Sequence, residues 1–308
     1  MSIAAPIVAP IVASLEATGP RRMKRGNPLR FRPRLPGEAW NDVLGHERDP
    51  GGRLRAARRL AGVVLFTLVC LVIQAVLIRL PGRAKNRFGR FYHRTLCRLI
   101  GLKLRVIGVA SEARPTLYVS NHSSWLDVLV LGAMLDARFV SKSEVENWPL
   151  IGWVAKLGRT VFVSRSRGRT GGEAHDMRLR LAGGDSLILF PEGTTSDGAR
   201  VLPFRSSFFA VAGAAQAVQP VTVVYDRLGG LPVGRRDRPL FAWYGDMETG
   251  SHAWRLLRRT GTRATLVLHA PFAPGEAPDR KALAARVGRT VTDAAAALRQ
   301  NRQVLEVA

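Results

Sequence analysis

LYVSNHSSWLD, residues 117–127, changes character at its midpoint. Its first four residues are apolar and β-branched, as in a buried strand, whereas Ser123 or Ser124 followed by LDVLVLGAML has the hydroxyl and apolar run of a capped helix start. A strand feeding straight into a helix is the elementary unit of an α/β layer. His122 then falls on the connecting turn, where helix-start N–H groups can hold an anion and a side chain can face a cleft. Of the 6 histidines, His122 alone is followed five positions later by an aspartate, Asp127. A neutral imidazole can take a proton from a hydroxyl near neutral pH, and a carboxylate within reach fixes its tautomer and stabilises the imidazolium. The same two residues also suit an ordinary turn histidine and a solvated first-turn acid, so the rest of the chain has to decide.

Beyond Gly101, short apolar segments alternate with helical ones. LRVIGV, TLYVS, RFVS, TVFVS, DSLILF, VQPVTVVY, PLFAWYG and TRATLVLH read as strands, and residues 126–135, 172–182, 206–217 and 279–300 read as helices. The alternation predicts an α/β domain over residues 103–308, built on a mixed, largely buried sheet flanked by helices. Residues 148–152 are expected to form a loop. A second strand-to-turn junction, FPEGTTSDG at residues 190–198, places Glu192, Gly193 and Thr194 at the C-terminal edge of a sheet, where α/β proteins bind ligands. Lys142 and Arg165 each close a strand, so both cations are expected at that edge, where they suit a phosphate or carboxylate.

Toward the N-terminus, residues 1–52 are rich in Pro, Gly, Ala and Arg without a sustained period, as in a disordered basic tail. Residues 60–80 hold Gln74 and Arg79 as their only strongly polar members, long enough to cross a bilayer as a helix or to lie within one leaflet. Arginines flank the run on both sides, so the positive-inside rule gives no orientation. NRFGRFYHRTLCRLIGL follows, with Phe88, Phe91, Tyr92, Leu96, Leu99 and Ile100 at helical spacing among basic residues. It suits an interfacial amphipathic helix or a core-facing one equally. Residues 53–102 are therefore expected to form a membrane-anchoring helix pair.

A formal net charge of +24 sends the chain to anionic partners, nucleic acid or an acidic membrane surface. Zinc-type spacing, an RNP-like aromatic motif and a basic heptad region are all lacking, so nucleic acid is not expected. The two cysteines, Cys70 and Cys97, rule out a disulfide framework and suit a reducing compartment.

NHSSWLD, KSE with WPLIGW, GRTVFVSR, FPEGTT and VQPVTVVY stand in this order across roughly residues 104–225. In that order the chain resembles the glycerolipid acyltransferase family, typified by 1-acyl-sn-glycerol-3-phosphate acyltransferases. The resemblance implies that His122 deprotonates an acceptor hydroxyl, that Asp127 orients it, and that the oxygen attacks an acyl thioester. It implies that backbone donors near His122 meet the oxyanion, that Arg165 holds the acceptor headgroup, that Glu192 and Gly193 contribute to acceptor binding, and that Asn121 shapes the turn. One departure stands out: members forming phosphatidic acid often read EGTRS, where this chain reads EGTTS, with Thr195 in place of the arginine. Arg205 or Arg200 is expected to substitute. The surrounding TTSDGARVLPFRSSFF and RPLFAWYGDME look more like the branch that acylates lyso-ornithine lipid.

The expected acceptor is thus 1-acyl-sn-glycerol-3-phosphate, with lyso-ornithine lipid as the alternative. The donor is acyl carrier protein or acyl-CoA, with no metal or organic cofactor, at the cytoplasmic face of an inner membrane. A hydrolase using the same pair would need a serine nucleophile on a G-x-S-x-G elbow, which is not present.

Overall fold

The computed structural model describes residues 51–142, 146–147, 151–158, 160–163 and 170–304. The tail expected up to residue 52 lies outside them, apart from Gly51 and Gly52.

Two helices lead into the sheet. α1 (Gly52–Leu77) carries the apolar run, and α2 (Ala84–Ile100) packs beside it, with Phe66 stacked on Tyr92 at 5.8 Å and edge-on to Phe91 at 6.1 Å. Among the described helices α1 alone is long and apolar enough to cross a membrane. Leu65, Leu68, Val69, Val72 and Val76 form an exposed stripe along it, Val72 at 68 % exposure. The amphipathic face of α2 is largely used internally, since Leu96, Cys97 and Ile100 are buried.

α2 stops at Gly101, which is in the left-handed region with φ 81°. The site needs glycine for its conformation, and a Cβ there would displace the Arg59 guanidinium. Arg59 uses that opening to donate to Leu257 O (2.9 Å) and Arg259 O (2.6 Å), and Arg55 donates to Arg258 O (2.6 Å). These carbonyls end a later helix and have no intrahelical donor.

The sheet contains β1 (Leu102–Ile107), β2 (Thr116–Ser120), β3 (Arg138–Lys142), β4 (Val161–Val163), β5 (Leu187–Leu189), β6 (Ala217–Leu228), β7 (Leu231–Pro232) and β8 (Thr262–Leu268). Its order is β1-β8-β6-β2-β5-β3-β4, with β7 folded back on β6. β6, β2, β5, β3 and β4 run parallel, β8 runs antiparallel to β6, and β1 runs parallel to β8. Between and after the strands come α3 (Leu126–Met134), α4 (Ile151–Leu157), α5 (Thr170–Ala182), α6 (Thr249–Leu257) and α7 (Arg280–Arg299).

β2 is buried throughout, the mark of a strand covered on both faces. Its residues part by period two: Tyr118 joins Ile188, Val221 and Val223 beneath α2, α3 and α6, while Leu117 and Val119 join Leu187 and Leu189 beneath α5 and α7. The expected mixed α/β sheet with flanking helices is therefore present.

Three local expectations are corrected. Residues 206–217, expected as an α-helix, form a 3₁₀ segment, Ser206–Ala214, and Ala217 opens β6. PLFAWYG, expected as a strand, is a 3₁₀ turn (Arg238–Leu240) and its continuation: Pro239 has no N–H for a ladder, and the amides of Phe241 and Ala242 both bond to Arg238 O at 2.9 Å. Gly152, expected in a loop, sits in the first turn of α4. Helix α6 went unforeseen; Glu248 caps it, accepting from Gly250 N (2.9 Å) and Ser251 N (2.6 Å).

Candidate active site

β2 and β5 are parallel neighbours, with Leu117 opposite Leu187 and Val119 opposite Leu189. Carried forward past both strand ends, that register puts His122 level with Glu192. The His122 amide donates to Glu192 Oε1 at 2.7 Å, so the two turns are joined at the C-terminal edge. Asn121 holds the turn from the other side. Its side chain donates to Val223 O and accepts from Val223 N, both at 2.9 Å, which extends the β2–β6 ladder by one side-chain rung.

From this turn the imidazole meets α3. Its Nδ1 lies 2.9 Å from Asp127 Oδ2. That same oxygen accepts the amides of Ser123 (2.7 Å) and Ser124 (2.9 Å), and Oδ1 accepts the Tyr225 hydroxyl at 2.6 Å. Since Oδ2 already accepts two backbone amides, which can only donate, it is on the accepting side of the bond to the imidazole as well. Nδ1 therefore carries the proton, and Nε2 holds the lone pair. The ring stacks on Phe190 at 4.0 Å, and the His122 side chain keeps 20 % exposure while Asp127 has none. A pair so arranged can accept a proton at Nε2 and hold the imidazolium against a fixed carboxylate.

The other histidines are not arranged for this. Burial drives His93, His252 and His269 down to about 4. His175 is exposed on α5, and His46 lies outside the described residues.

Glu192 is 1 % exposed and braces the site. Besides His122 N, it accepts Leu202 N at 2.9 Å, so one carboxylate pins both the histidine turn and the loop after FPEGTT. Burial pushes its pKa up to about 8, against the pull of its two amide donors; Asp127 adds to the rise and Arg299 opposes it. Relative to an unfolded glutamate near 4.5, the native chain then binds the extra proton between these values. Stability present at acid pH is lost as pH rises through about 8. Unfolding in detergent from pH 5 to 9 should show a decline of order 4 kcal/mol from this group, and Glu192→Gln should flatten it. A wild-type profile as flat as that of the variant would remove the assignment.

Gly193 follows with φ 70° and lies against Arg205: a Cβ would stand 3.3 Å from the guanidinium Cζ. Arg205 is exposed, and among the described residues its guanidinium has no carboxylate partner. Ser196 N donates to His122 O at 2.9 Å, closing Thr194 and Thr195 into the space beside the histidine turn.

His122, Asp127, Glu192, Gly193, Thr194 and Arg205 are thus gathered at one edge. β3 ends at Lys142 on the same edge by register, but its side chain is outside the described residues, as is Arg165. Two expectations about the turn change. Trp125 occupies the N-cap of α3 without a side-chain cap, and Ser124 Oγ accepts only Leu126 N, at 3.3 Å. Asp127 secures the helix start from within instead. The amides expected to meet an oxyanion are also spent, His122 N on Glu192 and those of Ser123 and Ser124 on Asp127. Tyr225 was not foreseen as part of the site. Its signal was a hydroxyl ending the long apolar run VQPVTVVY. Burial, with Asp127 beside it, holds its phenol proton well above the ordinary range.

Comparison with known proteins bears on this arrangement. A family model described as Acyltransferase matches residues 103–225, which contain both turns and Tyr225. The chain is 40 % identical over 259 residues to the lyso-ornithine lipid O-acyltransferase of Brucella abortus, spanning 81 % of this chain and 96 % of that one. It is 29 % identical over 180 residues to the 1-acyl-sn-glycerol-3-phosphate acyltransferase of Neisseria meningitidis, spanning 57 % and 67 %. The crystal structure of the 1-acyl-sn-glycerophosphate acyltransferase PlsC from Thermotoga maritima shares the fold, with a TM-score of 0.55 at 20 % identity over 80 % of this chain and all of that one. With the domain match and such extensive similarity to a lipid O-acyltransferase, the chain belongs to the acyltransferase family.

Proposed function

We propose that this enzyme transfers a fatty acyl group from a thioester, acyl carrier protein or acyl-CoA, to the free hydroxyl of lyso-ornithine lipid. The observation that carries the chemistry is the His122–Asp127 pair, with Nδ1 bound at 2.9 Å and Nε2 left for substrate. Nε2 takes the hydroxyl proton as the oxygen attacks the thioester carbonyl. When the tetrahedral adduct collapses the C–S bond breaks, and the imidazolium returns the proton to the departing thiolate. The ester and a free thiol are the products.

Among the described residues of the two turns, the amides of Trp125, Thr194 and Thr195 are without a partner, and the oxyanion is assigned to them. Both cysteines are buried, and burial pushes Cys97 up to about 12, which supports direct transfer over an acyl-cysteine intermediate. The reading calls for no metal or organic cofactor.

The acceptor follows from the 40 % identity to a lyso-ornithine lipid enzyme and from Thr195, which stands where phosphatidic-acid-forming members often carry arginine. Arg205, against Gly193, is the cation assigned to the acceptor's acidic group, and Lys142 and Arg165 are assigned to the same group as further cations on the sequence resemblance alone. Glu192 positions the two turns. The expectation of 1-acyl-sn-glycerol-3-phosphate keeps the support of the Neisseria meningitidis relative and is the second reading.

α1 and α2 are read as the membrane anchor. α1 is tied to the α/β domain near both ends, by Arg55 and Arg59 at α6 and by Gln74 Nε2 to Leu157 O at 3.1 Å at the end of α4. A helix held along one domain at both ends and exposing a broad apolar face suits burial within a single leaflet, the cytoplasmic leaflet of an inner membrane. With purified enzyme, kcat/KM for lyso-ornithine lipid should exceed that for lysophosphatidic acid at least about tenfold, a difference of about 1.4 kcal/mol. The reverse preference restores the second reading, and no transfer to either acceptor rejects both.

A further inference from the structure

A small cavity, open to solvent, lies behind the histidine turn. It is bounded by Asn121 and Ser123, the end of β6, the turn at Arg238 and the last turn of α7, and three arginines line it: Arg200, Arg238 and Arg299. Arg200 is exposed, and the other two are half-buried.

Among the described residues neither Arg238 nor Arg299 has an ion-pair partner. Arg299 reaches only Gly198 O, at 3.5 Å. Asp226, the one acid in the lining, is already held by Arg263 Nε at 3.1 Å. Burial lowers the pKa of Arg299 below its ordinary value, and the facing Arg238 lowers it further, while Asp197 and Glu192 oppose without pairing. Like charges turned toward one another in a partly dewatered cavity destabilise the empty site, and an anion placed between them removes that cost.

We propose that this cavity is an anion subsite that takes the phosphate of the acyl donor's phosphopantetheine arm. The inference rests on the thioester donor assigned above. Planar guanidinium forks match the paired oxygens of a phosphate, and three of them converge here. Neither His122 nor Glu192 lines the cavity, so it does not hold the reacting atoms. It is nevertheless one backbone step away: Ser123 and Ser196 form part of its wall, and their amides hold Asp127 Oδ2 and His122 O. A thioester donor has this geometry, with its phosphate joined to the reacting carbonyl by a long flexible arm. The acceptor's acidic group lies only a few bonds from its hydroxyl, and Arg205 on the Gly193 side is placed for it.

The test uses the full-length enzyme and Arg238→Gln, Arg299→Gln, the double variant, and Arg235→Gln, which removes one charge outside the cavity as each single variant does inside it. The KM for acyl carrier protein and acyl-CoA donors should each rise about tenfold or more in the double variant, with acceptor KM unmoved and Arg235→Gln like wild type. Calorimetry with pantetheine 4′-phosphate should show binding to wild type that the double variant lacks. This reading does not depend on the acceptor, so a wrong acceptor assignment does not confound it. Because the arginines repel each other, the ligand-free double variant should melt no lower than wild type; a lower melting temperature would make them structural and overturn the proposal. A rise in acceptor KM alone, a rise with acyl-CoA alone, or unchanged phosphate binding overturns it as well.

Discussion

His122→Ala should lower acyl transfer by about three to four orders of magnitude while leaving membrane association and cooperative unfolding intact. Nε2 is the nitrogen that Asp127 leaves open, and among the described residues no other histidine is bonded to a carboxylate, so no neighbouring base can take over. The fold should tolerate the loss. Asp127 keeps the amides of Ser123 and Ser124 and the Tyr225 hydroxyl, and the His122 backbone amide still binds Glu192. The vacated space beside Phe190 adjoins solvent, so the expected destabilisation is about 1 kcal/mol. Thiol release from the donor in the presence of lysolipid reads turnover, and liposome flotation reads membrane association. Retention of a tenth of wild-type turnover would remove His122 from the chemistry.

Asp127→Asn should separate charge from architecture. An asparagine oxygen can accept the same two amides and the Nδ1 proton, while its NH₂ donates to a Tyr225 hydroxyl turned round to receive it. The structure should therefore survive at a cost of about 1–2 kcal/mol. The imidazolium, however, loses its counter-charge, and turnover should fall by about two to three orders of magnitude. Asp127→Ala should behave differently, since it strands four donors around a site with no exposure and should cost about 3–5 kcal/mol. Wild-type turnover in the asparagine form would show that the carboxylate's charge plays no part, and equal unfolding midpoints for the two variants would show that asparagine does not keep its hydrogen bonds.

The residues differ in how openly they announced these roles. His122 and Asp127 were visible because both fall within six residues of a strand-to-helix junction, where local sequence sets local geometry. Glu192 was visible as an acid at a second junction, but its work was not. Turning both oxygens onto the amides of His122 and Leu202 depends on β2 and β5 being neighbours in the sheet, although β3 and β4 come between them in the chain. Tyr225 stood at the end of a quoted block, and its bond to Asp127 joins residues 98 apart. PLFAWYG failed as a strand because its apolar composition served a different burial: Phe241 stacks on Tyr225 at 5.2 Å and closes the core beneath the site. The cavity arginines come from three separate stretches of chain, and no local pattern relates them.

By itself the sequence determined the α/β alternation, the apolar first helix, and which histidine and aspartate would share a turn, because periodicity and short-range spacing act along the chain. The tertiary structure decided which amides Asp127 and Glu192 would occupy, which guanidiniums would face one another unpaired, and that α1 would be tied to the domain near both of its ends. Those outcomes depend on strand order and on burial, which sets how strongly each charge is felt, and neither is written in any one segment.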